Sequence, residues 1–201
     1  PVFIVPAVAN PEMSVEFLHQ LSKVSGALVT AASAAALYHA CSARASREWA
    51  LLTAFLYGFG SLAFSVCGQA IWQHGPATLG VALALWGLSR EGRRFHVLAG
   101  FGLGLAVASR PDHVFVLAAG LAFVLWKRRD PLAGVVLGGA VPAALLAWYW
   151  LAFTGRLRPP ELAFQASVFG SFDPEALAGL IASPHRGILF FFPASPLALW
   201  A

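Results

Sequence analysis

A chain of 201 residues that is 59% hydrophobic and 11% charged, with a mean hydropathy of +0.72, lies outside the balance of an ordinary soluble domain. Its isoelectric point near 9.6 would point to nucleic acid in a soluble protein, but most of the basic residues sit in short breaks between apolar runs. Two cysteines, Cys41 and Cys67, are too few and too far apart for a disulfide framework or a cysteine-rich metal site, and no histidine pair has the spacing of helical metal ligands.

Residues 1–13 are apolar but interrupted by Pro1, Pro6 and Pro11, which suits an outer-surface or re-entrant segment. A first membrane span is predicted from about Ser14 to Cys41 and carries Lys23 near its beginning. The basic break Arg44–Arg47 follows, then a second span from about Trp49 to Trp72 and a tight turn, Gln73–His74–Gly75–Pro76. Apolar runs at about Ala77–Leu88, Phe95–Ser109, Val114–Trp126 and Pro131–Phe153 predict spans three to six. Spans three to five are short against the roughly 20 residues that cross a bilayer as a helix. The stretch 154–187 is polar and punctuated by Pro159, Pro160, Pro174 and Pro184. Within it, Asp173–Pro174–Glu175 has the form of a helix start, leading into a short amphipathic surface helix over 175–181. Ile188 begins a seventh apolar run.

The breaks between these runs alternate in charge. Arg44–Arg47, Arg90–Arg93–Arg94 and Lys127–Arg128–Arg129 are basic, whereas Trp72–Gln73–His74–Gly75 and Ser109–Arg110–Pro111–Asp112–His113 carry little net charge. Lysine and arginine gather in short cytoplasmic loops, so the basic breaks are expected in the cytoplasm and the other turns, with 154–187, outside it. Trp49, Trp72, Trp126, Trp148 and Trp150 lie near predicted span ends, where interfacial aromatic residues belong. The expected fold is therefore an all-α, polytopic transmembrane helix bundle of about seven spans, one membrane domain over 1–201 with a long outer loop at 154–187. The pairs Gly100/Gly104 and Gly134/Gly138 have the small-xxx-small spacing that lets helices approach closely in lipid.

The polar groups on the expected outer side are the candidates for chemistry. Arg110 at a span end offers a fixed guanidinium fork suited to a phosphate, and the neighbouring Asp112 equally suits a plain turn-capping ion pair. His74 is placed to hydrogen-bond a substrate, or to sit as an ordinary interfacial histidine. His185 and Arg186 lie at the mouth of the last apolar run, before Phe190–Phe191–Phe192–Pro193, where a cation above an aromatic groove would suit a lipid-linked phosphate and where snorkelling is the alternative. Lys23, inside an apolar span, is a functional candidate with the same alternative.

The order of these features resembles the GT-C superfamily of membrane glycosyltransferases, most closely the bacterial relatives of protein mannosyltransferases and of the lipid A aminoarabinose transferase. The resemblance rests on Leu21–Leu28 opening a span, on Leu98-Ala99-Gly100-Phe101-Gly102-Leu103-Gly104-Leu105-Ala106 leading to Ser109-Arg110-Pro111, and on Ser183-Pro184-His185-Arg186-Gly187-Ile188-Leu189-Phe190. It implies transfer of a sugar from a polyprenyl-phosphate-linked donor to a lipid, glycan or protein acceptor outside the cytoplasm, in the bacterial inner membrane. It implies no certain cofactor, the lipid-linked sugar being a substrate. It makes Lys23, Arg110 and Arg186 candidates for the donor phosphate, with His74, Asp112 and His185 as further substrate-binding candidates. The family's catalytic carboxylate sits in a first outer loop that would precede Pro1, and the chain, beginning at Pro1 and stopping in an apolar run at Trp200–Ala201, is expected to be part of a longer protein. A transporter or flippase-like subunit is the competing expectation; it favours charges near mid-bilayer and paired repeats of broken helices.

Overall fold

A computed structural model describes residues 15–61, 63–68, 73–127 and 132–157, together with residues 174, 175, 178 and 179. The described residues are all-α, with no strand among them. Six α-helices follow in chain order: α1 Val15–Cys41, α2 Arg47–Gly60, α3 His74–Ser89, α4 Arg93–Ser109, α5 Val114–Lys127 and α6 Leu132–Thr154. A π-helical turn, Ala63–Cys67, comes between α2 and α3, and a 3-10 turn, Pro111–His113, between α4 and α5. By contact, the chain divides into two compact units, Pro1–Gly155 and Arg156–Ala201. In the second unit Pro174, Glu175, Ala178 and Gly179 are helical, within the stretch predicted as a surface helix. The predicted seventh span and the break at Arg128–Arg129 lie outside the described residues.

Within the first unit the helices pack in the order α2, α1, α3, α4, α6, with α5 lightly attached to α4 and α6. Directions follow from the residues that meet. Gly80 lies against Ala106 and Gly87 against Ala99, so α3 and α4 are antiparallel. Gly134 meets His96 and Gly104 meets Pro142, so α4 and α6 run parallel, as two helices separated by one return must. Val29 touches Gly75 and His39 stacks on Trp86, which makes α1 and α3 parallel as well.

The helices bury their small residues and expose their large ones. On α1 the buried stripe is Gly26, Thr30, Ser33, Ala36 and Ala40, at helical spacing; the Thr30 and Ser33 hydroxyls donate back to the carbonyls of Gly26 and Val29, at 2.9 and 2.8 Å, and so bury no unpaired hydroxyl. Helix α6 buries Gly134, Val135, Gly138 and Pro142, while Leu137, Val141, Leu145, Trp148 and Phe153 are exposed. An amphipathic helix in water does the opposite. The spacing of Gly100/Gly104 and Gly134/Gly138 is used as expected: a Cβ on Gly100 would run into the carbonyl of Val135, and one on Gly138 into the carbonyl of Val97. The α3–α4 seam is equally tight, since a Cβ on Gly102 would stand 2.5 Å from the Gly80 carbonyl oxygen. A modest apolar cluster of Ala84, Ala99, Leu103, Val124 and Val135 joins α3, α4, α5 and α6.

Two helices are long and apolar enough to cross a membrane: Glu16–Cys41 and Leu132–Thr154. Helices α3, α4 and α5 have 16, 17 and 14 residues, below the roughly 20 that a spanning helix requires, so the described residues do not supply seven full spans. The continuous second span predicted from Trp49 to Trp72 is interrupted. Helix α2 ends at Gly60, and Ser61 takes an extended conformation (φ −126°, ψ 175°). The Ser61 hydroxyl donates to the Tyr57 carbonyl at 2.6 Å and accepts the Ala63 N–H at 3.1 Å, so the side chain satisfies both sides of the break. Gly58 and Gly60, poor helix formers, precede it.

Candidate functional site

The end of α4 is set by its sequence. A proline disfavours the helical region for the residue before it, and Arg110 accordingly leaves the helix at φ −146°, ψ 115°, its N–H still bonded to the Ala106 carbonyl. Pro111 then opens the 3-10 turn that the His113 N–H closes onto the Arg110 carbonyl at 3.0 Å. This tight reversal brings Asp112 back beneath the arginine. Its carboxylate takes two parallel hydrogen bonds, from Nε to Oδ1 at 3.0 Å and from Nη2 to Oδ2 at 2.8 Å. A bidentate pair of this kind holds the guanidinium plane as well as its position. Nδ1 of His113 lies 3.4 Å from the same carboxylate.

The third partner comes from another helix. Helices α3 and α4 are antiparallel and nearly equal in length, so the first residue of α3 stands beside the last turn of α4. His74 is that residue, and Nη1 of Arg110 approaches its Nδ1 at 2.6 Å and its Nε2 at 3.1 Å. A neutral imidazole has one acceptor nitrogen, and Nδ1, at the shorter distance, is the better placed for that role. The electrostatics agree. Burial, and next the Arg110 cation, push the His74 pKa down, against a smaller opposing pull from Asp112. The hydrogen bonds from Arg110 hold the Asp112 carboxyl below its ordinary range. The cluster is half-buried, with Arg110 and Asp112 side chains 25% and 35% exposed.

Arginine carries five N–H donors. Two are committed to Asp112 and one to His74, which leaves one on each terminal nitrogen. An anion arriving there would meet a fixed pair of donors, partly offset by the Asp112 charge. The cluster is thus both a clasp between α3 and α4 and a small, oriented cationic edge.

Among the sequence-predicted residues, His74, Arg110 and Asp112 come together. Lys23 does not join them: it is exposed on α1, six residues before the Val29 that packs on Gly75, hence roughly 9 Å further along the helix at 1.5 Å per residue, towards the same end. His185 and Arg186 lie outside the described residues. His113, part of the Arg110–Asp112 turn in the sequence but not one of the substrate-binding candidates, joins the cluster through the Asp112 carboxylate. Among the described residues no three histidine, cysteine, aspartate or glutamate side chains gather as a metal site. No family model, curated protein or solved structure matches the chain.

Proposed function

We propose that this chain is the membrane-embedded part of a glycosyltransferase that takes a sugar from a polyprenyl-phosphate donor, with Arg110 addressing the donor phosphate. The observation that carries the reading is the oriented Arg110 edge, held by Asp112 and His74 at the junction of two helices. Fixed donors that need no reorganisation are what a departing phosphate requires for charge stabilisation. The membrane setting is supported by the two long apolar helices and by helices that bury glycine and alanine while exposing leucine, phenylalanine and tryptophan. The GT-C-like order of motifs supplies the reaction class. On this reading the chain belongs to a helix bundle of about seven spans, the basic breaks face the cytoplasm and the Arg110 cluster faces outward. Lys23 serves the same donor.

Donor binding tests it without requiring turnover. With the chain in detergent and a defined polyprenyl-phosphate sugar, Arg110→Ala is expected to weaken binding about ten- to a hundredfold, the equivalent of about 1.5–3 kcal/mol for a hydrogen bond to a charged group. Arg110→Lys keeps the charge but loses the fork and restores only part of the affinity. Unchanged affinity in a folded Arg110→Ala protein rejects the phosphate role and leaves the clasp. A second reading, a transporter or flippase subunit, is favoured by one observation, the helix broken at Ser61, since interrupted helices mark substrate paths in transporters. Binding of the lipid-linked sugar unaffected at Arg110 but lost on straightening the break with Ser61→Ala would favour it.

A further inference from the structure

The end of the α3–α4 hairpin opposite the Arg110 cluster has a different chemistry. Here the end of α1, the end of α3 and the start of α4 are bound into one patch. Nη2 of Arg90 donates to the Ser42 hydroxyl at 3.1 Å and approaches the His39 carbonyl at 3.4 Å. The His39 ring stacks on Trp86 at 4.7 Å, Trp86 faces Phe95 at 6.4 Å, and the Arg94 guanidinium lies 4.8 Å over the Phe95 ring. Around this floor Arg44, Arg47, Arg93 and Arg94 are all exposed. Glu48 and Glu91 are the acidic residues of the same two turns, so five arginines face two glutamates.

Two features make this more than a solvated rim. Helix α4 opens with Arg93 and Arg94 and has no acidic residue in its first turn and no side-chain cap. Cations at the positive end of a helix are unfavourable, and a bound anion reverses that penalty. The Nε of Arg90 is also buried without a hydrogen-bond partner, so the arginine at the floor of the patch has donor capacity left over. Trp49, two residues after Arg47 in the first turn of α2, is 65% exposed. Arginines ranged beside an interfacial tryptophan fit an anionic phospholipid, phosphate on the guanidinium groups and acyl chains along the apolar helix faces.

We propose that this arginine-rich end binds the head groups of anionic phospholipids. The inference rests on the reading that α1 and α6 cross a membrane, but not on the glycosyltransferase reading. The test mixes the purified chain with neutral phosphatidylcholine vesicles and with vesicles that also contain phosphatidylglycerol, follows flotation, and then identifies retained lipid by native mass spectrometry. Flotation with both kinds of vesicle, and retention of phosphatidylglycerol over phosphatidylcholine, is the expected result. The preference should fall about fivefold for each arginine neutralised in the series Arg44→Gln, Arg47→Gln, Arg93→Gln and Arg94→Gln. The fourfold lysine variant keeps the charge and should keep most of the preference, which separates lost charge from lost folding. A chain that floats with neither vesicle defeats the membrane reading and this proposal with it. Flotation with both but equal retention of the two lipids, or undiminished preference in the fourfold glutamine variant, overturns this proposal alone. Release of phosphatidylglycerol by inorganic phosphate alone would assign the patch to free phosphate and overturn the lipid assignment.

Discussion

The two ends of the α3–α4 hairpin hold arginine in opposite ways. At one end a single arginine is bound on two sides, by a carboxylate two residues away and by a histidine from the facing helix. At the other end five arginines share two acidic neighbours, and four of them are exposed. A guanidinium held on two sides, with one N–H left on each terminal nitrogen, has a fixed direction and a field partly cancelled by its carboxylate, which suits a contact made at one geometry. Exposed arginines in excess have a strong field and loose geometry, which suits a surface such as a layer of head groups. The same side chain is thus used for position at one end and for charge at the other, and helix α4 carries both, from Arg93 to Arg110.

The severest way to break that contrast is therefore to move α4. A Cβ at Gly100 collides with the Val135 backbone, and backbone cannot turn aside as a side chain can. Gly100→Val is expected to cost about 3 kcal/mol and to disturb both ends at once, measured as loss of helical signal on denaturant titration in detergent. Gly58→Ala is the control: a Cβ there meets nothing within 4 Å, so stability should hold or rise slightly.

Next comes the clasp alone. Arg110→Ala leaves Asp112 and His74 without their shared partner and is expected to cost about 1.5 kcal/mol, reduced from a fully buried pair by exposure. Asp112→Ala should cost a similar amount. In a double-mutant cycle the two effects should fall well short of adding, since both remove the same bonds. Additive effects would show that the pair is not coupled, and the contrast between the two ends would lose its basis.

Much of this layout was legible in the sequence. Helix α4 was expected over Phe95–Ser109 and runs from Arg93 to Ser109, because a basic break and a proline bound it on either side. Helix α6 matches its apolar run to within a residue at each end. That His74 and Arg110 belong to one end followed from counting alternating turns. Their direct contact did not, since it depends on the nearly equal lengths of α3 and α4, fixed only once the first turn at His74 proves helical rather than loop. The break at Ser61 was hidden because hydropathy continues through Phe64 and Val66. The signal was local: two glycines ahead of a serine able to cap in both directions.

Acid sharpens the comparison further, because the clasp holds two groups, His74 and Asp112, whose titration the fold has moved in the same direction. His74 has its pKa lowered in the folded chain. Its unfolded value, near 6.5, is the higher one, so the unfolded chain binds the proton first and stability declines as pH falls below that value, levelling off beneath the folded pKa. The Asp112 carboxyl is also lowered, from its ordinary value near 3.8. Its contribution is present above that pH and is lost as pH falls through the folded pKa. Both steps thus run the same way, towards a weaker clasp in acid. A stability-versus-pH curve for His74→Gln should lose the upper step and keep the lower one, whereas a Gln variant with both steps intact would show that His74 is not the group being titrated.

The smallest expected effect tests the arginine-rich end from within. Arg94 lies over the Phe95 ring, but its side chain is exposed and its charge sits at the unfavourable end of α4. An exposed cation–π contact contributes about 0.5–1 kcal/mol, and the helix-terminus penalty is of the same order with the opposite sign. In neutral detergent Arg94→Ala should therefore change stability by less than about 0.5 kcal/mol. In the presence of phosphatidylglycerol the balance shifts, because a bound head group cancels the penalty and leaves the arginine net favourable. The same substitution should then become measurably destabilising, in a thermal unfolding series run with and without that lipid. If the lipid changes nothing for Arg94→Ala, Arg94 serves packing on Phe95 alone, and the charge at this end rests on its neighbours.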